Sequence, residues 1–445
     1  MTFAAAGSSA LLVDLYELTM GESYLAQGLD ERPATFELTC RALPEGWSYL
    51  VAAGIGDVLD HLERLRFEPG DIDYLETTGL FTPRFLERLS GLRFHGNVRA
   101  LPEGSAFFPG EPVLELTAPL LEAQLVETAV LNKIHFPTLI ASKAARCVEA
   151  AEGRRLVEFG LRRVHGGEAG LKVARSTYMA GFDATSNVQA GAAFGIPVAG
   201  TMAHSYIECF ADETEAFEAF MSSYPDGSTL LIDTYDTVAG ARLAARLGER
   251  VGAVRIDSGD LLDLSRRVRG VLDDAGLPRV SIFASGNLDE HAIARLVSSG
   301  APIDGFGVGT RLGTSADAPY LEVAYKLVMF DGRPVQKLSP GKATLPGSKQ
   351  VWRVEADGRF VHDLIALGDE PGPEGGMPLL ELMLRDGLRV GEQSLADSRA
   401  RAAAERAALP ADLRSIARSS TYPVGLSSRL ETLDRRLREE RRTRA

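Results

Sequence analysis

The sequence predicts an α/β protein. At its centre is an irregular TIM-like α/β barrel, preceded by an N-terminal α+β domain carrying a small β-sheet, to which the C-terminal segment returns. Three observations predict it. From Arg155 to Val308, short apolar runs alternate with amphipathic stretches, the pattern of βα units on a parallel sheet. Before that, Gly96 to Leu116 is rich in Gly and Pro around short extended runs, which reads as hairpin material. After Lys326 the βα rhythm stops, and Asp331-Gly332 and Asp357-Gly358 mark tight turns between extended segments. The expected domains are 1–150, 151–330 and 331–445.

Taken in order, Ala10–Gln27 and Val51–Leu65 read as helices, and Leu120–Glu152 as a long helix interrupted at Pro137. The barrel strands are then Leu156–Phe159, Gly181–Asp183, Pro197–Met202, Thr229–Ile232, Ala253–Ile256, Val280–Ala284 and Ile303–Val308. Seven parallel strands could equally make an open doubly wound sheet. The barrel is favoured because chemically active residue types come after many strands instead of one switch point. Hairpins are expected at Leu327–Phe330 with Pro334–Leu338, and at Val351–Val354 with Gly358–His362.

Composition excludes several classes. With 45% hydrophobic and 24% charged residues, disorder is not the default. A net charge of −13 argues against a nucleic-acid footprint. The segment from Arg399 to Ala445 departs from this with 12 Arg against 6 acidic residues, most simply a solvated helix. Cys40, Cys147 and Cys209 are scattered and odd in number, so neither a disulfide frame nor a zinc site is expected, and a reducing cytoplasm fits. Met1–Ala10 has no basic n-region with a long apolar core, and no run is long enough to span a bilayer.

Active sites of parallel barrels lie at the C-terminal ends of the strands. Those ends carry Phe159-Gly160-Leu161-Arg162-Arg163, Asp183 with Thr185-Ser186-Asn187, and Gly200-Thr201-Met202-Ala203-His204-Ser205. Next come Asp233-Thr234-Tyr235-Asp236, Arg255-Ile256-Asp257-Ser258-Gly259-Asp260, Ser285-Gly286-Asn287 and Gly305-Phe306-Gly307-Val308-Gly309-Thr310. Arginine forks suit phosphate or carboxylate, glycine turns admit phosphate oxygens to backbone N–H groups, and carboxylates suit Mg²⁺. Together they fit a polyphosphorylated, Mg²⁺-bearing substrate. Singly, each piece has a plainer reading: Asp233 and Asp236 as helix caps, the Ser285-Gly286-Asn287 stretch as a cap after a tight turn, His204 as a core histidine, Phe159 and Tyr16 as core aromatics, and the last glycines as close strand–helix packing. The glycine turn is neither a dinucleotide fingerprint nor a Walker A loop.

These stretches apart from Ser285-Gly286-Asn287, with Asp14-Leu15-Tyr16-Glu17-Leu18-Thr19-Met20, resemble the nicotinate phosphoribosyltransferase family in order across roughly residues 10 to 355. The Thr-Met-Ala-His-Ser and Arg-Ile-Asp-Ser-Gly-Asp segments are the specific ones. The resemblance implies transfer of phosphoribosyl from phosphoribosyl pyrophosphate to nicotinate, in a homodimer with shared active sites. It makes His204 the histidine phosphorylated by ATP, and places nicotinate between Phe159 of one subunit and Tyr16 of the other, with Asp183 near the ring. Arg162 and Arg255 would meet the carboxylate or phosphates, Asp236 and Asp257 the ribose or Mg²⁺–pyrophosphate, and Gly286, Gly309 and Thr310 the 5′-phosphate. His204, Asp257 and Arg255 are thus the expected catalytic set, with Mg²⁺ as cofactor and ATP as co-substrate. The basic segment Lys337 to Lys342, with Lys349 and Arg353, reads equally as a polyphosphate cover or a solvated loop. The alternatives are a nicotinamide-using relative, a decarboxylating quinolinate enzyme, and an inactive sensor of phosphoribosyl pyrophosphate.

Overall fold

The computed structural model describes residues 10–225 and 227–444. Contacts divide them into two compact units: residues 10–139, 320–413 and 419–444 form one, and 140–319 with 414–418 the other.

The first unit is built on a seven-stranded antiparallel sheet. Its order is Arg333–Pro334, Val323–Phe330, Pro33–Cys40, Pro112–Pro119, Asn97–Ala100, Glu381–Arg385 and Leu388–Arg389. Segments from both ends of the chain therefore share one ladder: Phe36 sits opposite both Leu116 and Leu327, and Val98 opposite both Leu116 and Leu384. A four-stranded sheet comes next, in the order Gly376–Pro378, Lys349–Ala356, Arg359–Leu367 and Val424–Leu426. Its central hairpin turns at Asp357-Gly358, both with positive φ (52° and 69°). The Asp331-Gly332 turn has the same character, with φ of 50° and 73°. Such a turn matches the right-handed twist of the strands it joins.

Residues 120–151 do not break where expected. Helices run Leu120–Leu125 and Glu127–Ala151, and Pro137 lies inside the second. Proline cannot donate to the carbonyl four residues back, that of Lys133. That carbonyl faces Gly54, where an added Cβ would stand 2.0 Å from the Lys133 oxygen. Thr138 ties the same turn down by exchanging hydrogen bonds with Ala53, donating to its carbonyl (3.1 Å) and accepting from its N–H (3.2 Å). Similarly, the helix expected over Val51–Leu65 is shortened to Ile55–Glu63, because Leu50–Val51 pairs as a strand with Ala106–Phe107.

The second unit holds the parallel sheet. Its six strands run in the order Ala184–Thr185, Arg155–Glu158, Gly305–Val308, Ser281–Ala284, Val251–Ile256 and Ser228–Leu231. The seventh expected strand, Pro197–Met202, is reduced to a single bridge between Thr185 and Val198. Pro197 has no N–H to give, and only its carbonyl and the Ala199 N–H reach Thr185. The expected barrel is therefore not closed by a hydrogen-bond ladder among the described residues; the sheet ends with Ser228–Leu231 at one edge and the Val198 bridge at the other. The expected strand Gly181–Asp183 is displaced to Ala184–Thr185, with Asp183 just before it. No helix among the described residues is long and apolar enough to cross a membrane.

Candidate active site

The two edges of the open sheet lead to one place. Beyond Val198 the chain runs to His204, which heads the helix His204–Glu208; beyond Leu231 it runs to Thr234. His204 Nδ1 and Thr234 Oγ1 are 3.2 Å apart, so a side-chain hydrogen bond joins what backbone pairing leaves open. It fixes the imidazole and leaves the other ring nitrogen unengaged by it.

Beside this seam lies a cleft of about 540 Å³ whose lining includes Phe159, Arg162, Thr201, His204, Arg255 and Asp257. Five of the residues singled out from the sequence thus converge: Phe159, Arg162, His204, Arg255 and Asp257. Asp183, Asp236, Gly286, Gly309 and Thr310 are not among the lining residues, and Tyr16 belongs to the other compact unit.

Arg255 organises the cleft. It projects from the strand Val251–Ile256, donating from Nε to Ser285 Oγ (3.0 Å) and from Nη1 to Thr201 Oγ1 and to the Met202 carbonyl (3.1 Å). Its Nη2 lies 3.2 Å from Asp257 Oδ1, and its Cζ stands 5.9 Å from the centre of the Phe159 ring. Of its five N–H donors, those on Nε and Nη1 make hydrogen bonds, and Nη2 makes an ion-pair contact with Asp257. The same Asp257 oxygen accepts from Ser285 Oγ, and the Asp257 N–H donates to Asp233 Oδ2 (2.9 Å).

Phe159 comes directly after the strand Arg155–Glu158. Its ring lies against Gly307, where an added Cβ would be 2.5 Å from the ring, and tilts against Phe283 at 6.0 Å. Gly307 therefore makes room for an aromatic on the inner face of the sheet. Gly309 has a related duty, since a Cβ there would lie 2.9 Å from the Phe159 carbonyl oxygen. Behind Phe159, buried Glu158 accepts from the Gly160 N–H and from Thr185 Oγ1 (2.6 Å), and burial pushes its carboxyl above the usual range. Arg162 is exposed on the next turn.

The remaining expected residues have structural duties. Asp183 accepts from the Leu156 N–H (2.8 Å), and Asp236 caps the helix Thr237–Arg246 by accepting from Ala239 N–H (2.7 Å). Gly286, at φ 97°, presses its turn onto the Asp257 carbonyl; a Cβ would come within 2.1 Å of that oxygen. Thr310 begins the short helix Thr310–Gly313. Sequence reasoning gave no individual role to Glu158, Thr201, Thr234 or Ser285. Each bonds to a residue 27 to 54 positions away, a distance along the chain that no local pattern reports.

One other acidic group stands apart. Glu290, His291 and Asp317 approach one another closely, but Lys143 and Arg146 already pair with Glu290 and Lys143 also with Asp317, which leaves little call for a cation.

Two family models match the chain: the nicotinate phosphoribosyltransferase N-terminal domain over residues 11–135, and the nicotinate phosphoribosyltransferase family over residues 154–349. Nicotinate phosphoribosyltransferase pncB2 of Mycobacterium tuberculosis is 49% identical over 95% of this chain and 92% of that protein. The Bacillus subtilis nicotinate phosphoribosyltransferase is 41% identical over 82% of this chain and 77% of its own. Among solved structures, human nicotinic acid phosphoribosyltransferase superposes with a TM-score of 0.83 at 32% identity, covering 95% of this chain and 99% of that one. On these matches, spanning both the N-terminal segment and the cleft-bearing unit, the chain belongs to the nicotinate phosphoribosyltransferase family.

Proposed function

We propose that this protein joins nicotinate to phosphoribosyl pyrophosphate, releasing pyrophosphate and nicotinate mononucleotide for NAD biosynthesis, and that it couples the transfer to ATP hydrolysis through a phosphohistidine at His204. The observation that carries the reading is the convergence of Phe159, Arg162, His204, Arg255 and Asp257 on one cleft, from separate stretches of a chain in this family.

The chemistry needs little proton transfer. As pyrophosphate leaves C1 of the ribose, positive charge builds on the sugar, and the pyridine nitrogen attacks the opposite face. Phe159 offers a half-buried ring face on which a pyridine can stack in line with C1. The cations Arg162 and Arg255 suit the nicotinate carboxylate and the phosphates. We assign the ribose and pyrophosphate to the neighbourhood of Asp257 and Asp236, and the 5′-phosphate to the turns at Gly286, Gly309 and Thr310. Asp183 is assigned to the vicinity of the pyridine ring. His204, held through Nδ1 by Thr234, has its second ring nitrogen for phosphoryl transfer.

Mg²⁺ fits the donors present. Asp233 Oδ1 is buried with no hydrogen-bond partner, its Oδ2 accepts from the Asp257 N–H, and Asp257 itself lines the cleft; carboxylate oxygens are the donors this ion takes. When bound with pyrophosphate it would neutralise the leaving group. We further propose a homodimer in which the partner's Tyr16 covers the nicotinate ring. Tyr16 is 45% exposed at the start of the helix Leu15–Ala26, as an aromatic awaiting such a neighbour would be.

The test is product formation from phosphoribosyl pyrophosphate and Mg²⁺, offering nicotinate, nicotinamide and quinolinate separately, with and without ATP. Nicotinate alone should give its mononucleotide, faster with ATP. Preference for either other base would refute the substrate assignment. His204→Ala should abolish ATP hydrolysis and leave slow ATP-independent transfer, and an unchanged ATPase would remove the phosphohistidine.

A further inference from the structure

Arg255 and Asp257 line the cleft, yet they do not meet as a two-point ion pair. A guanidinium and a carboxylate this close normally close into a fork of two parallel hydrogen bonds. Here only one contact forms, Nη2 to Oδ1 at 3.2 Å. The place of the second is taken by Ser285, whose hydroxyl accepts from Arg255 Nε at 3.0 Å and donates to the same Asp257 oxygen. Ser285 is 3% exposed, so water does not compete for these bonds. Its backbone is fixed too: its N–H donates to the Ile256 carbonyl at 2.9 Å, and the adjoining Gly286 turn rests on the Asp257 carbonyl.

We propose that Ser285 is a positioning residue for the reaction: it holds Arg255 and Asp257 out of a two-point fork, so that Asp257 Oδ2 and the Arg255 Nη2 donors stay available to the substrate. The proposal rests on the phosphoribosyl-transfer reading and deepens it. Without the hydroxyl, Nε loses its acceptor, in a side chain that is 11% exposed. The Asp257 carboxylate, already in contact with Nη2, can replace it, and a fork closed through Nε and Nη2 would take Asp257 Oδ2 and an Nη2 donor from the cleft. An unsatisfied buried donor and a mutually satisfied ion pair are the two ends of that choice, and the second is lower in energy.

The experiment compares wild type, Ser285→Ala and Ser285→Thr in two assays: steady-state transfer with phosphoribosyl pyrophosphate and nicotinate, and calorimetric titration with Mg²⁺–pyrophosphate, which needs no turnover. Loss of the hydroxyl should lower kcat by about 10- to 100-fold, more than it raises the KM for nicotinate, and weaken pyrophosphate binding several-fold. Ser285→Thr, which keeps the hydroxyl, should restore both to within a few-fold. An alanine variant with wild-type kcat and pyrophosphate affinity overturns the proposal. So does equal loss in both variants, which would make volume and not the hydroxyl the cause. If Ser285→Ala does not fold, Ser285→Cys fills the site with a weak hydrogen-bonding group and should behave as the alanine variant is expected to. Absence of nicotinate mononucleotide from wild type would refute the substrate assignment, and the pyrophosphate titration would still decide the role of Ser285.

Discussion

Glu17 lies within the N-terminal stretch that resembles the family, and it is fully buried. One carboxylate oxygen accepts from the Thr128 N–H (3.1 Å) and hydroxyl; the other is buried without a partner. Burial pushes the carboxyl up to about 7, the Thr128 hydroxyl opposes this, and the Glu127 charge adds to it. An unfolded carboxyl ionises near 4.5, so the folded protein keeps a proton there that the unfolded chain has released. The stability this gives is complete below 4.5 and is lost as pH rises through about 7. His61 acts in the opposite sense. Burial, reinforced by Lys133, lowers it from 6.5 to about 4, so its contribution grows as pH rises across that interval. A wild-type profile mixes the two. The melting-temperature difference between Glu17→Gln and wild type isolates Glu17, and it should grow in favour of the glutamine as pH rises from 4.5 to 7. A difference independent of pH would mean that Glu17 is ionised throughout. At this scale the sequence was a partial guide. His204, Arg255 and Asp257 could be read from their places at the ends of apolar runs, because a parallel sheet brings those positions to one rim. Asp236 had two readings, and the structure displays its helix-cap contact. Glu158 and Ser285 could not be given their roles, since Thr185 and Arg255, through which they act, are brought close only by the fold.

Among the elements, the long helix teaches why local rules fail. Proline sets a break on propensity alone, yet Glu127–Ala151 passes through Pro137, with the Lys133 carbonyl that it leaves without its helical donor packed against Gly54. Gly54 makes that approach possible. It adopts φ 84°, its N–H donates to Glu103 (2.7 Å), and only the lack of a Cβ lets the Lys133 carbonyl approach. Gly54→Ala should therefore destabilise the protein by about 2–4 kcal/mol, through a backbone clash together with left-handed strain. Denaturant unfolding measures this, and a change below about 0.5 kcal/mol would mean that the helix can straighten away from Gly54 without cost. The missing seventh strand has a similar origin. Apolar content in Pro197–Met202 suggested a full ladder partner, but a strand needs N–H groups on the correct side, and the chain leaves the sheet after Ala199. The Asp-Gly hairpins, by contrast, depend only on the conformational preferences of two adjacent residues, and those are written locally.

For the whole molecule, the arrangement of active sites can be decided by counting. Suppose each site takes Arg162 from one subunit and Tyr16 from the other. A Tyr16→Ala homodimer lacks the stacking ring in both sites, and an Arg162→Ala homodimer lacks the cation in both. When equal amounts are mixed and the subunits re-associate at random, half of the dimers contain one chain of each kind. In such a dimer one site carries both defects and the other carries neither. Mixing should therefore restore activity to about a quarter of the wild-type value per subunit, starting from two nearly inactive preparations. If both residues served the same chain's site, every site in every dimer would keep one defect, and mixing would restore nothing. The exposed Tyr16 and Leu15, 45% and 54% accessible on a helix that buries Glu17 and Leu18, favour the shared arrangement. A time course of recovery that tracks subunit exchange would exclude activation by carry-over of either variant.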